Sequence, residues 1–182
     1  QRLCCVPCAV QWILLRRGLK LFEQEIIGKA LGLIIPPKYK HLFLSRIKIS
    51  VKKPAGGYGT KETDGSKINK FFKRHKIQLK VKKIFYSELK DVQHVARIIA
   101  DNLKRGNDIM IITYLAAIWP KKRNGHATLA TEIILGRNPK VVVGDPSFMK
   151  KKFYKLDLVK IIKGMSKEWD GEERGFYVFS KK

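Results

Sequence analysis

Apolar positions in the first half of the chain recur at helical spacing. They predict three helices, at residues 7–17, at about 22–31, and from a cap at Asp64 or Ser66 to about His75. In the first of these, Val10, Ile13 and Leu14 share one face, Pro7 opens the helix and Gly18 ends it. The third helix follows a capping Asp or Ser, and the prolines and glycines before it predict an irregular stretch over residues 38–59.

The second half of the chain carries the patterns of strands. Alternating apolar and polar residues predict a strand over 77–85, and Ser87 is predicted to cap a helix that ends at about Lys104. Further strands are predicted at residues 108–114, 126–135, 140–144 and 175–180, with a helical stretch at 156–163. Helices gathered in the first half and strands in the second predict an α+β fold, in which N-terminal helices pack on a C-terminal antiparallel sheet.

Length and composition favour one folded unit. A chain of 182 residues with 45% apolar content can bury a proper core, so we expect a single domain over residues 1–182. The sequence has no run of eighteen or more apolar residues, which argues against a membrane span. It starts at Gln1 without the features of a secretory signal, and we expect that an initiator methionine has been removed.

Cysteine usage bears on the compartment and on metals. All three cysteines lie within residues 4–8, so they cannot build a disulfide framework, and the sequence has no second Cys or His pair at zinc-binding spacing. We therefore expect a cytoplasmic protein without a bound metal. The glycines at positions 56, 57 and 59 lack the Gly-Lys-Ser/Thr ending of a phosphate-binding loop, so we expect no nucleotide and no other cofactor.

The chain is strongly basic. It has 39 Lys and Arg against 15 Asp and Glu, a net charge of +24, which raises the question of a polyanionic partner. Residues 67–83 contain eight of these cations and no acid, but apolar residues alternate with them, as on a helix and a strand whose outer faces carry lysine. A solvated lysine surface is the favoured interpretation; attraction to nucleic acid, acidic lipid or an acidic substrate is the alternative.

The cysteine cluster stands where a helix begins. Unpaired amide N–H groups and the positive end of the helix dipole stabilise a thiolate at such a position. If the helix begins at Val6 or Pro7, Cys5 lies at its cap with the sulfur facing outward, whereas Cys8 turns into the core. The alternative is that Cys4, Cys5 and Cys8 are all small buried hydrophobic residues.

A nucleophilic cysteine needs a base, and His126 is the histidine best placed to be one. It follows an Asn-Gly turn and heads a predicted strand, whereas the other three histidines lie in lysine-rich stretches or within a helix. Nineteen residues later, Asp145 ends the apolar strand 140–144, and an antiparallel return could bring it beside His126. Its carboxylate would then orient the imidazole, although Asp145 could equally be a simple turn residue before Pro146.

These motifs together are similar to those of a known family. The order of Cys5-Val6-Pro7-Cys8, then Gly125-His126, then Gly144-Asp145-Pro146 resembles the bacteriocin-leader (double-glycine) peptidase-like branch of the papain-like cysteine peptidases. Weaker similarities are Gly59-Thr60 before the middle helix, and Trp169 followed by a last strand ending in Tyr177-Val178-Phe179. The resemblance implies a papain-like fold and a Cys5, His126 and Asp145 triad.

The resemblance also implies an oxyanion donor, and it has a departure. In the family a glutamine before the cysteine donates to the oxyanion, and the candidate here is Gln1, four residues before Cys5. Val6 stands where the family has a glycine after the nucleophile. The predicted function is therefore a cysteine hydrolase, a peptidase that cleaves an amide bond in a peptide or protein substrate. Whether that substrate is acidic is left open by the basic charge. The alternatives are a papain-like acyltransferase and a basic nucleic-acid-binding module.

Overall fold

A computed structural model describes residues 4–43, 58–60, 64–147, 152–169 and 171–182. The chain forms two compact units, residues 1–80 and 81–182. None of the helices in these ranges has the length and apolar character needed to cross a bilayer. The expectation of a single domain stays a prediction.

The first unit is helical. It contains α1 (Cys5–Arg16), α2 (Gln24–Ala30), a 3-10 turn (Pro37–Leu42) and α3 (Ser66–Arg74). The buried stripe of α1 comprises Val6, Pro7, Ala9, Val10, Ile13 and Leu14. An edge-to-face pair of Phe22 and Phe71, with ring centroids 5.1 Å apart, joins the segment before α2 to α3. This apolar contact fixes α3 beside the chain that leads into α2.

The second unit is built on a six-stranded sheet. Its strands are β1 (Leu79–Phe85), β2 (Asp108–Tyr114), β3 (Gly125–Ile134), β4 (Lys140–Gly144), β5 (Phe153–Asp157) and β6 (Gly175–Lys181). The spatial order is β1-β6-β2-β3-β4-β5, and β2 pairs antiparallel with both β3 and β6, as β4 does with both β3 and β5. Helices α4 (Val92–Lys104) and α5 (Leu158–Lys163) connect strands of this sheet.

One face of the sheet carries the core of the second unit. Strand residues of this face pack with residues of α4 and α5 in one fully buried cluster, which contains Val95, Ala96, Ile99, Ile109, Ile111, Ala130, Val141, Val143, Leu158, Ile161, Met165 and Phe176. Since side chains at alternate strand positions share a face, the face that carries Ile109 and Ile111 also carries Thr113 at the end of β2. This core therefore extends toward one end of β2 and its neighbour β3.

The hairpin of β3 and β4 contains a β-bulge. Leu129 pairs with Gly144 and Ala130 with Val143, but Glu132 then pairs with Val142, so Thr131 is the extra residue. The Thr131 hydroxyl donates a hydrogen bond of 3.0 Å to the Val142 carbonyl oxygen. The side chain thus fastens the bulge to the opposite strand.

The predicted α+β class is confirmed, with three local corrections. The prediction that the first helix begins at Val6 or Pro7 is wrong, because it begins at Cys5. The Cys8 N–H already donates to the Cys4 carbonyl oxygen at 2.8 Å, and Pro7 is tolerated because residues of the first turn lack an intrahelical acceptor. Ser87 is not a helix cap either. It lies in a 3-10 turn, and Asp91 caps α4 by accepting the His94 N–H at 2.7 Å.

The third correction concerns β5, which we did not predict. This strand is only five residues long, and its inner side chains include Tyr154 and Leu156. That is too short for a clear alternating pattern. The lysines before it and the helical pattern after it obscure that signal, and the helix itself begins at Leu158 rather than at 156.

Candidate active site

The structure brings His126 and Asp145 together at the end of the sheet. His126 is the second residue of β3 and pairs with Thr113 of β2. Asp145 directly follows β4. The two side chains form a hydrogen bond of 2.7 Å between His126 Nε2 and Asp145 Oδ1, with side-chain exposures of 11% and 1%. The carboxylate is therefore buried, while the edge of the imidazole reaches the surface.

The choice of ring nitrogen has a chemical consequence. A carboxylate accepts hydrogen bonds, so its contact with Nε2 places a proton on that nitrogen. In the neutral ring the lone pair then resides on Nδ1, which becomes the atom able to take a proton from another group. When the ring is protonated, the same contact is an ion pair that stabilises the imidazolium.

Asp145 is bound by two further donors. The Ser147 N–H donates to Oδ1 at 2.7 Å, and the Tyr154 hydroxyl donates to Oδ2 at 2.5 Å. Burial raises the pKa of Asp145, but the hydrogen bond and charge of His126, followed by the bonds from Tyr154 and Ser147, outweigh it and the pKa is lowered. The carboxylate therefore stays ionised through neutral pH.

Tyr154 is the site residue that we did not predict. It lies in β5 opposite Val143, two residues before Asp145, so both side chains share a face. Burial and the bond to Asp145 raise the pKa of the Tyr154 hydroxyl, which stays protonated. Trp119 packs against its ring at a centroid distance of 5.9 Å. A polar-tipped aromatic residue nine positions after Asp145 was the available signal, but it required prediction of β5.

The three cysteines have different surroundings. All are thiols, and Cys4 is fully buried in a cluster with Leu33, Ile35 and Phe43. Burial raises the pKa of Cys4 to about 12. Cys5 is the first residue of α1 and is partly exposed, as is Cys8.

The prediction that Cys8 turns into the core is wrong. Cys5, Cys8 and Trp12 follow one another at i, i+3 and i+7, and all three lie partly exposed on one flank of α1, beside its buried stripe. Cys4, which we could not place from the sequence, is the cysteine that enters the core.

Further candidates from the sequence are Gln1, the glycine loop and the histidines other than His126. Gln1 lies outside the described residues, as do Gly56 and Gly57. His75 is packed against the rings of Phe22 and Phe71 at 4.5 and 4.6 Å. Burial, followed by neighbouring positive charge, lowers the pKa of His75. Among the described residues, no group of three or more His, Cys, Asp or Glu side chains is arranged to hold a metal ion.

The first unit also contains a basic groove between α2 and α3. Its volume is about 470 Å³. It is lined by Ile26, Lys29, Ala30, Lys67, Lys70, Phe71, Arg74 and His75, with no acidic residue among them. Lys67, Lys70 and Arg74 recur at helical spacing along one side of α3, so like charges stand side by side there.

Comparison with known proteins supports the fold. A solved structure described as a candidate C39-like peptidase from Bacillus anthracis matches with a TM-score of 0.57 and 11% sequence identity, over 100% of this chain and 90% of that one. This likeness agrees with the expected α+β papain-like fold. No protein-family model matches the chain, and no curated protein sequence does.

Proposed function

We propose that this protein is a cysteine hydrolase that cleaves an amide bond in a peptide or protein. The observation that carries the proposal is the His126 and Asp145 pair, in which a buried, ionised carboxylate holds Nε2 and leaves the lone pair on Nδ1. That is the arrangement a thiol hydrolase requires of its base and its orienting residue. The fold shared with a structure described as a peptidase agrees with it.

In this proposal Cys5 is the nucleophile. It is the first residue of the twelve-residue helix α1, where the helix dipole and the N–H groups of the first turn favour a thiolate. Cys4 is unsuited to the role, because burial raises the pKa of its thiol to about 12. Cys8 lies within the helix, one turn further from its positive end.

The proposed reaction has two stages. His126 takes the Cys5 proton at Nδ1, and the thiolate attacks the carbonyl carbon of the scissile amide. The protonated His126 then donates that proton to the leaving amine, which leaves a thioester on Cys5. In the second stage, His126 takes a proton from water as the water oxygen attacks the thioester carbon. The C–S bond then breaks, the acid product leaves, and His126 returns the proton to the Cys5 sulfur. The Cys5 backbone N–H and the Gln1 side chain are the proposed oxyanion donors. Attack on the thioester by an amine instead of water would give an acyltransferase.

The experiment that tests this proposal uses a covalent probe and a substrate library. A peptide vinyl sulfone forms a covalent adduct with an activated cysteine, and peptide mapping by mass spectrometry identifies the modified residue. We expect the adduct on Cys5, its loss in His126→Ala, and its retention in the control His94→Ala, which changes a histidine on α4. A library of quenched fluorescent peptides then measures turnover, which Cys5→Ser should abolish. Adduct formation unaffected by His126→Ala would contradict the proposal.

A second candidate function, nucleic-acid binding, is favoured by the basic groove between α2 and α3. Keeping Lys70 beside Arg74 at i,i+4 costs helix stability, and a polyanion would relieve that repulsion. The rings at this groove are poorly placed to stack on bases, because Phe71 is buried and His75 is packed against two phenylalanines. Binding would therefore rest on phosphate contacts alone.

Charge-matched variants separate a groove from a generally basic surface. Lys70→Gln/Arg74→Gln removes two charges from the groove, and Lys73→Gln/Lys80→Gln removes two exposed charges that do not line it. With a single-stranded RNA oligonucleotide at several salt concentrations, a phosphate-binding groove predicts a larger loss and a smaller salt slope in the first pair. Equal losses of RNA affinity in the two double variants would mean that the groove lysines belong to a generally basic, solvated surface.

A further inference from the structure

The Asp145 carboxylate has its two oxygens assigned to different partners. Oδ1 accepts from His126 and from the Ser147 N–H, whereas the described partner of Oδ2 is the Tyr154 hydroxyl. We propose that Tyr154 is a positioning residue that clamps the Asp145 carboxylate and thereby sets the orientation of His126 during catalysis. This inference rests on the proposed function for its catalytic consequence, and the geometry of the clamp can be tested without it.

The reason for a clamp lies in the torsion freedom of aspartate. The χ2 torsion of Asp is broad and roughly two-fold, so a carboxylate bound through one oxygen can rotate about its axis. Both His126 and Ser147 contact Oδ1, so their two hydrogen bonds do little to restrain rotation of the carboxylate about χ2. A hydroxyl on Oδ2 fixes the plane of the carboxylate, and with it the direction of the bond that Oδ1 offers to His126.

Tyrosine suits this task because its ring is itself held. Tyr154 packs against the core of the second unit and against Trp119, and its strand β5 pairs with β4 immediately before Asp145. The Asp145 N–H also donates to the Lys152 carbonyl oxygen at 2.9 Å, which ties the same two chain segments at the site. The hydroxyl is thus delivered from a rigid element rather than from a loop.

The Tyr154 hydroxyl also remains a hydrogen-bond donor at neutral pH. Burial and the neighbouring carboxylate raise the pKa of Tyr154, so the proton that binds Oδ2 is retained well above neutral pH. Because the same bond helps to lower the pKa of Asp145, the two groups hold each other in opposite protonation states. At neutral pH the carboxylate therefore accepts and the phenol donates.

Removal of the hydroxyl should therefore affect turnover rather than substrate binding. Tyr154→Phe keeps the ring in the core and deletes the clamp. We expect kcat to fall by about tenfold, with KM within about twofold of the parent, since small misplacements of a catalytic group are costly while uniform binding is untouched. Tyr86→Phe is the matched control, because Tyr86 packs partly buried against the same core and lies in a 3-10 turn away from Asp145.

A second measurement keeps the clamp testable if the parent shows no turnover. The His126 Nε2 proton exchanges with water, and its exchange can be followed by NMR. In Tyr154→Phe we expect that exchange to accelerate by about fivefold or more, because a hydrogen bond to a charged acceptor is weakened by disorder. The Tyr86→Phe control should leave it unchanged.

The outcomes are distinct. Faster exchange together with a lower kcat at constant KM supports the positioning role. Unchanged exchange in Tyr154→Phe overturns the clamp, whatever the protein catalyses. Faster exchange with unaltered kcat overturns the catalytic consequence. If neither the parent nor Tyr86→Phe turns over any peptide, the proposed function fails, while the exchange result still decides whether Tyr154 fixes the carboxylate.

Discussion

Removal of the Asp145 carboxylate is a direct test of how the site is held together. Asp145→Ala takes away the acceptor of three hydrogen bonds, from His126, Ser147 and Tyr154. A buried donor left without an acceptor costs about 1–3 kcal/mol. The Ser147 N–H and the Tyr154 hydroxyl are both part-buried, so we expect a loss of about 2–6 kcal/mol in the free energy of unfolding from those two groups.

The amide variant should lose less. In Asp145→Asn the carbonyl oxygen is expected at the Oδ1 position, because the Ser147 N–H there requires an acceptor, and His126 can keep its proton on Nε2. The amide nitrogen then faces Tyr154. Bonds to a charged acceptor are worth about 1 kcal/mol more than neutral ones, but the cost of burying the charge also disappears, so we expect a loss of about 1–2 kcal/mol.

Urea denaturation at pH 7 measures both losses, and Asp157→Ala is the matched control. Asp157 is 48% exposed and has Lys160 Nζ at 3.5 Å and Lys140 Nζ at 4.0 Å, an exposed pair of contacts worth less than about 1 kcal/mol. Midpoints should move without a change in the denaturant slope. A loss in Asp145→Ala no larger than in Asp157→Ala would refute the reasoning that the carboxylate organises the site.

The dependence on pH gives a second check. The folded-state pKa of Asp145 is lowered below its value in the unfolded chain, about 3.9. Its contribution to stability is therefore complete above that pH and is lost as the pH falls through the folded-state pKa. The stability difference between the parent and Asp145→Asn should narrow as the pH is lowered below about 4. A difference that stays constant down to the lowest pH measured would mean that the charge contributes nothing.

Three further predictions concern other parts of the molecule. A Cβ at Gly175 would collide with a carbonyl oxygen of β1, whereas one at Gly125 would meet only an arginine side chain at 3.5 Å. We expect Gly175→Ala to lower the free energy of unfolding by about 3 kcal/mol or more and Gly125→Ala by less than about 1 kcal/mol. Equal denaturation midpoints in the two variants would contradict this. Trp169→Phe removes an indole N–H bond of 2.7 Å to a carbonyl oxygen of α5 and should cost about 0.5–1.5 kcal/mol, so an unchanged melting curve would discount that bond. Alkylation by iodoacetamide at pH 8, mapped by mass spectrometry, should modify Cys4 last, because its pKa is raised to about 12; modification of Cys4 before Cys5 would contradict this.

Much of the sheet could be predicted because its strands carry strong local signals. The bounds of β2 and β4 agree with the prediction, since both are dense runs of isoleucine and valine set off by turn residues. The pairing of His126 with Asp145 could also be anticipated, because a turn precedes the histidine and an apolar strand precedes the aspartate.

The features that the sequence did not predict depend on interactions between segments distant in the chain. Ser87 and Asp91 are both good capping residues, but Ser87 is held in a 3-10 turn, where its N–H donates to the distant Glu173 carboxylate at 2.7 Å, and Asp91 caps the helix. Cys4 and Cys8 are chemically alike, but the folded chain buries Cys4 in a cluster with Leu33 and leaves Cys8 partly exposed. Tyr154 could be recognised only once β5 was known to pair with β4.

The β-bulge at Thr131 acts as a phase shift between the two halves of the β3 and β4 hairpin. Beyond the bulge, Ile134 pairs with Lys140, and that register continued without interruption would set Asp145 opposite Leu129, on the face away from His126. The extra residue moves the pairing by one, so Asp145 comes opposite Thr128 and shares a face with His126. A regular ladder in which Thr131 was itself paired would therefore separate the two residues while leaving every amino acid of the site in place. The site residues lie near the strand ends, but their assembly on one face depends on a bulge several positions away.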